Sequence, residues 1–358
     1  MKYDITITKT TNPQPKPANE SKLGFGKIFT DHMFIMEYSS DKGWHDGRIV
    51  PFGPIPTHPA STVFHYGAEI FEGMKAYRAV DGSIRLFRPM ENVKRLNKSA
   101  ERICLPLLDE EGALDIITKL VELEKDWVPH SEGTSLYIRP FIYGNDPHLG
   151  VHAVHNATFV IICSPVGAYY ASGLKPVKIA IESEDVRAVR GGTGYAKCGG
   201  NYAASMRAGQ RAEEKGYAQV LWLDGVERKY IEEVGAMNVM FKINGKIITP
   251  ALTGSILPGI TRKSCIELLK DWGYEVEERL FSIDELFAAC ENGTLEEAWG
   301  TGTAAVVSPI GHLFYNGKDY TVSNNEIGPL TQKLYDNLTG IQWGKIEENK
   351  GWSVKVCK

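Results

Sequence analysis

Lys197 stands in GGTGYAKCGGNYAAS, where five glycines surround a single lysine. A phosphate-cradling P-loop needs G-x-x-x-x-G-K-[ST], but here alanine precedes the lysine and Cys198 follows it. A dinucleotide turn needs G-x-G-x-x-G. Gly192-Thr193-Gly194 begins that pattern, and Lys197 then occupies the third glycine's place. The stretch therefore reads better as a reactive lysine, with a nucleotide-binding oxidoreductase as the competing class. Burial disfavours the ammonium form of a lysine and frees its amine. Flanking glycines admit a flat cofactor to close range. Such a lysine can form a Schiff base with a carbonyl cofactor such as pyridoxal phosphate.

That cofactor needs an acid at its ring nitrogen, a donor at its phenolic oxygen, and a phosphate cup of N–H groups with an arginine. Glu232 and Glu233 end a strand-like run in IEEVGAMN, SILPGITRKS feeds a Pro-Gly turn into a helix start, and GTGTAAVVSP is a small-residue loop. Singly these are weak. The glutamates also read as a hairpin edge, the turn as a plain helix start, and Arg139 in SLYIRP as half of a structural ion pair. His148, His152 and His155 have spacing that could hold a metal on a helix, but Pro147 and Gly150 favour a loop, so no metal is expected.

Composition narrows the class. The chain has 358 residues, 43% hydrophobic and 23% charged, with a formal net charge of −4. This fits a soluble protein of two domains and disfavours a nucleic-acid partner. No apolar run is long enough for a membrane span. Six cysteines without a CxxC pair suggest reduced thiols and a cytoplasmic location.

The elements that must carry these residues alternate between strand-like and helical. HYGAEIFEGMKAYR and GSIRLFRP read as strand, turn, strand. ENVKRLNKSAERICL reads as a helix with Val93, Leu96 and Ala100 on one face, and SLYIRPFIY and ATFVIICSPV as buried strands. NYAASMRAGQRAEEKG predicts a helix opened by Asn201 and closed by Gly216, and TRKSCIELLKDWG one capped by Thr261 and closed by Gly273. Asn244-Gly245 predicts a hairpin. The expected division is an N-terminal domain over 1–165 with a loose tail over 1–22, a linker over 166–178, and a larger domain over 179–358 carrying the lysine.

Taken together, FTDHM, HYGAEIFEGMKAY, LFRPMENVKRL, SLYIRP, AKCGGNYAAS, QVLWLDG, EEVGAMN, LPGITR and GTGTAAVVSP resemble the branched-chain aminotransferases, from about Leu23 to near the end. The resemblance implies a two-domain α/β (α+β) fold of pyridoxal-phosphate fold type IV, like that of D-amino acid aminotransferases, with the cofactor in the interdomain cleft. It implies Lys197 as the Schiff-base lysine, Glu233 at the pyridine nitrogen and Tyr202 at the phenolic oxygen. Arg95, the Ile260 and Thr261 amides and Thr303 would bind the phosphate. The Thr303 and Ala304 amides with the Tyr137 hydroxyl would hold the α-carboxylate, and Arg139 would meet the second carboxylate of glutamate. Phe25, Tyr66, Phe71 and Tyr169 would wall the side-chain pocket, with Leu149 and Val151 reaching in from a second subunit of a homodimer.

The implied reaction is ping-pong transamination between leucine, isoleucine or valine and 2-oxoglutarate, yielding branched-chain 2-oxo acids and glutamate. A D-amino acid aminotransferase and an aminodeoxychorismate lyase are the alternatives on the same fold. Two departures stand out. Ala305 and Ser308 occupy the places of a redox-linked CxxC in mammalian members, and Ala236 stands where some members have threonine.

Overall fold

The computed structural model describes residues 2–167 and 174–358, so Tyr169 lies outside the described residues. Two compact units result. The first holds Met1–Ala171, Ala196–Gly199 and Gly340–Lys358; the second holds Ser172–Tyr195 and Gly200–Thr339. The sequence places one boundary at 166–178 with the lysine beyond it, whereas Lys197 sits in the first unit. The reason is pairing: Cys198 forms a β-bridge with Ile70.

In chain order the first unit contributes β1 (Ile5–Ile7), β2 (His32–Ser39), β3 (Gly43–Pro51), β4 (Glu69–Phe71), β5 (Met74–Arg78), β6 (Ile84–Phe87), β7 (Ser135–Gly144) and β8 (Asn156–Val166). The second contributes β9 (Val177–Ile181), β10 (Gln219–Leu223), β11 (Ile231–Val234), β12 (Met237–Ile243), β13 (Lys246–Pro250), β14 (Val276–Arg279), β15 (Leu295–Gly302), β16 (Val306–Tyr315) and β17 (Lys318–Thr321). The last strand, β18 (Ser353–Cys357), returns to the first unit.

The first sheet runs β1-β3-β2-β8-β7-β5-β6-β18, with β4 paired to β7. The tail expected to be loose is tethered: β1 pairs parallel to β3, and the Tyr3 hydroxyl accepts from the Asp109 amide at 2.8 Å. Strand β7 shows how alternation places a site. Leu136, Ile138, Pro140 and Ile142 are buried on one face, which leaves Tyr137, Arg139 and Phe141 together on the other.

The helix Pro89–Arg102 buries the expected Val93, Leu96 and Ala100. Beside that apolar stripe runs a buried polar one, Asn92, Arg95 and Ser99, at spacings of three and four. The helix Glu110–Leu123 buries Ala113, Ile116, Ile117, Leu120 and Val121, an amphipathic pattern that completes the core.

The second sheet runs β11-β10-β9-β16-β15-β12-β13-β14, and an added β11–β12 pairing closes strands β9 to β12, β15 and β16 into a ring. Asn244 (φ 48) and Gly245 (φ 75) make the expected tight turn between β12 and β13. Two helix starts differ from the sequence reading. The first helix spans Gly199–Glu214, so Asn201 lies inside it; its side chain instead binds Thr193, accepting from Oγ1 at 2.7 Å and donating to the carbonyl at 2.8 Å. The second spans Ile260–Asp271, with Gly259 at the N-cap and Thr261 in the first turn. Gly216 and Gly273 follow these helices at positive φ, as expected.

Candidate active site

In the first unit the lysine is pinned by its backbone. The Lys197 amide donates to Ser99 Oγ at 2.9 Å, and its carbonyl accepts from the Phe71 amide at 2.9 Å. Ala196 and Cys198 are buried on either side. Lys197 Nζ lies 4.7 Å from the Phe71 ring centroid. A Cβ at Gly199 would meet Glu69 Oε1, the end of a side chain that lies against this segment.

Phe71 carries a second cation, the Arg139 guanidinium, at 4.7 Å. Arg139 Nη2 donates to the Tyr137 hydroxyl at 3.1 Å, while its buried Nε has no hydrogen-bond partner. An unpartnered buried guanidinium N–H suits an incoming carboxylate. Phe25 packs edge-on against Tyr137 at 4.9 Å. A Cβ at Gly73 would strike the Tyr137 hydroxyl, so that residue is also fixed by close approach.

Arg95 is held by a residue the sequence reading did not single out. Glu72 is fully buried, accepting from Arg95 Nε at 2.7 Å, Arg95 Nη2 at 3.0 Å and Asn92 Nδ2 at 2.9 Å. Burial alone would raise its carboxyl; the charges of Arg95 and Lys197 and these hydrogen bonds bring it below the ordinary value. The polar stripe of the helix therefore serves the site throughout: Asn92 and Arg95 grip Glu72, and Ser99 anchors Lys197. Lys75 joins the same sheet face, in register with Tyr137, and burial pushes its amine down to about 8.

Tyr66 is farther out. Its hydroxyl accepts from the Gly150 amide at 2.7 Å. Leu149 and Val151 are 66% and 86% exposed. His148 and His152 stack at 4.1 Å in this loop, and His152 Nδ1 donates to the Ala153 carbonyl at 2.7 Å. Among the described residues no histidine, cysteine or carboxylate group of three or more is arranged for a metal.

The second unit gathers the acid and the helix start. Glu233 on β11 is 3% exposed. Its Oε1 accepts from the Leu257 amide at 2.9 Å and Asn238 Nδ2 at 3.2 Å, and Oε2 lies 2.9 Å from Arg187 Nε. Asn238 Nδ2 also donates to the Leu257 carbonyl at 2.9 Å, and a Cβ on Gly259 would meet Asn238 Oδ1. Asn238 thus ties Glu233 to the turn that opens the helix Ile260–Asp271. No side chain caps that helix start, so the first-turn amides of Ile260 and Thr261 are not used by a cap.

Glu233, Asn238 and Thr301 form a buried polar cross-strand row over β11, β12 and β15. Thr303 and Ala304 follow in the turn to β16, half-buried. Val306 ends that turn at φ 62, a conformation costly for a β-branched residue. Tyr202 sits half-buried in the first turn of its helix.

A model of class IV amino-transferases matches residues 69–313, more than half of the chain. The chain belongs to the class IV aminotransferases. Branched-chain-amino-acid aminotransferase 2 of Bacillus subtilis (strain 168) is 56% identical over 353 residues, covering 99% of this chain and 96% of that protein. A probable branched-chain-amino-acid aminotransferase of Staphylococcus aureus (strain N315) is 56% identical over the whole of both chains. Among solved structures, the branched-chain amino acid aminotransferase of T.th. complexed with N-(5'-phosphopyridoxyl)-L-glutamate shares 27% identity at TM-score 0.76, over 92% of this chain and 100% of that one.

The class IV fold is the two-domain fold type IV, and the family's cofactor is pyridoxal phosphate. The residues of each unit fit that group. One offers a pinned lysine and an arginine gripped by a buried acid; the other offers a buried carboxylate and an uncapped helix start behind a glycine that admits no Cβ.

Proposed function

We propose that this chain transfers amino groups between L-leucine, L-isoleucine or L-valine and 2-oxoglutarate. The observation that carries this reading is the face bearing Lys197, Phe71, Tyr137 and Arg139. It offers aromatic walls to an apolar side chain, and Arg139 Nε–H, buried and without a partner, to a carboxylate. A single pocket that must take both kinds of side chain needs both. The near full-length relatives carry the same named activity.

Bound pyridoxal phosphate supplies a ring that accepts the electron pair left at the substrate's α-carbon. The rest falls to the protein. Lys197 holds the cofactor through its amine and, once released, moves the α-proton as base and then as acid. Glu233 holds the ring nitrogen and Tyr202 the phenolic oxygen. Arg95, Thr303 and the first-turn amides of Ile260 and Thr261 bind phosphate. The Thr303 and Ala304 amides with Tyr137 hold the α-carboxylate, and Phe25, Tyr66 and Phe71 border the side chain. Leu149 and Val151, both exposed, complete the pocket of a partner copy, so the working form is a homodimer.

The deciding measurement is the absorbance of the purified holoprotein before and after L-leucine or D-leucine. A visible band that L-leucine alone converts to shorter wavelength, and that Lys197→Ala lacks, supports the reading. Conversion by the D-isomer alone overturns the substrate assignment.

A further inference from the structure

Two carboxylates are adjacent on β11, and one arginine, Arg187 from the loop after β9, acts on both by its charge. Arg187 Nε lies 2.9 Å from Glu233 Oε2, with the two side chains 8% and 4% exposed. The Nε–H is not aligned as a hydrogen bond, so the contact acts as charge on charge. Its direction is set elsewhere: Nη2 donates to the Gly194 carbonyl at 3.1 Å and also to the Ser255 carbonyl. A Cβ on Gly194 would strike the Ser255 carbonyl, so the two segments meet where the arginine clasps them.

Glu232 is in a different state. Ser255 Oγ donates to its Oε1, its Oε2 has no partner, and burial raises its carboxyl above the ordinary value. The close contact of Arg187 is with Glu233, while Glu232 is held by the Ser255 hydroxyl. On Glu233, Oε1 accepts from the Leu257 amide and from Asn238 Nδ2, two N–H donors that favour a carboxylate.

We propose that Arg187 is a positioning residue that keeps Glu233 anionic and so holds the proton they share on the cofactor's ring nitrogen, not on the carboxylate. The inference rests on the reading of Glu233 as the ring-nitrogen partner. A shared proton resides on the more basic of two partners, and an adjacent guanidinium lowers the basicity of the carboxylate. Arg187 is itself held by the Gly194 and Ser255 carbonyls, so its charge stays beside Glu233 Oε2. A lysine supplies the charge but not a planar fork that meets a carboxylate and two carbonyls together.

The experiment loads wild type, Arg187→Met, Arg187→Lys and Glu233→Gln with pyridoxal phosphate carrying ¹⁵N in the ring. The ring ¹⁵N signal and the cofactor dissociation constant are then measured at one pH. Wild type should show a protonated ring nitrogen and Glu233→Gln a neutral one. Arg187→Met should shift the signal toward the neutral position and weaken cofactor binding about tenfold, the scale of one charged contact. Arg187→Lys should restore most of the signal but not the affinity. If Arg187→Met does not fold, Arg187→Gln removes the charge while keeping donors for the carbonyls, and is read the same way. A wild-type signal in the charge-removing variant, with Glu233→Gln shifted, overturns the role of Arg187 alone. A wild-type signal in Glu233→Gln overturns the assignment of Glu233 and this inference with it.

Discussion

Each unit carries a buried ion pair among its candidate site residues, and the two are built in opposite senses. In the first unit the proposed cofactor ligand is the arginine, and the acid Glu72 stands behind it with a bidentate grip. In the second the proposed ligand is the acid Glu233, and Arg187 stands behind it. The supports differ too. Glu72 is anchored by the Asn92 side chain of a helix, whereas Arg187 hangs on the carbonyls of two loops. A buried pair is damaged most when the survivor cannot shed its charge. Arg95 cannot lose its proton, while Glu233 can gain one.

The largest effect therefore belongs to Glu72→Gln. It leaves Arg95 buried and charged, and should destabilise the protein by about 3–5 kcal/mol, read from urea unfolding of the cofactor-free protein. Arg187→Met should be milder, about 2 kcal/mol, because Glu233 can take up a proton. The reverse order of these two would break the comparison.

Ser99→Ala sharpens it by testing an anchor that carries no charge. The Lys197 amide loses its acceptor, for about 1–2 kcal/mol, and kcat should fall more than KM rises. The smallest change is expected in Glu232→Gln. Burial holds the Glu232 carboxyl above its ordinary 4.5, so the folded protein keeps this proton longer than the unfolded chain does. The stability linked to it is complete below 4.5 and is lost as pH rises through the raised value. Glu232→Gln should flatten that decline, seen as a smaller gap between Tm at about pH 5 and at about pH 8, while leaving the pair of Glu233 and Arg187 in place.

What the sequence made legible follows from where the information lies. Strand alternation in β7, the Asn244-Gly245 turn and the apolar stripe of Val93, Leu96 and Ala100 are local patterns, and the structure has each of them. Lys197 stood out because glycines crowd it. Glu72, Arg187 and Asn238 were not legible, since each matters only through a partner brought near by folding. Glu72 precedes Arg95 by 23 residues. One signal was present: Asn92, Arg95 and Ser99 share a helix stripe beside an apolar one, and a polar stripe that must be buried has to serve something. Asn201 and Thr261 misled for a related reason. Residues that cap helices also bind neighbouring loops, and at Ile260 the N-cap is a glycine.

The four residues Ala196–Gly199 belong to the first unit, although the chain on both sides of them builds the second. The first unit also takes its last strand, β18 against β6, from beyond the second unit. On a ribosome the first unit cannot be completed until the second has been made. The lysine segment is made after β8, but the sheet that receives it lacks its edge until Ser353–Cys357 has emerged. Such long-range closure slows folding and leaves strand edges exposed meanwhile, so the first unit's sheet is completed only after the second unit has been translated.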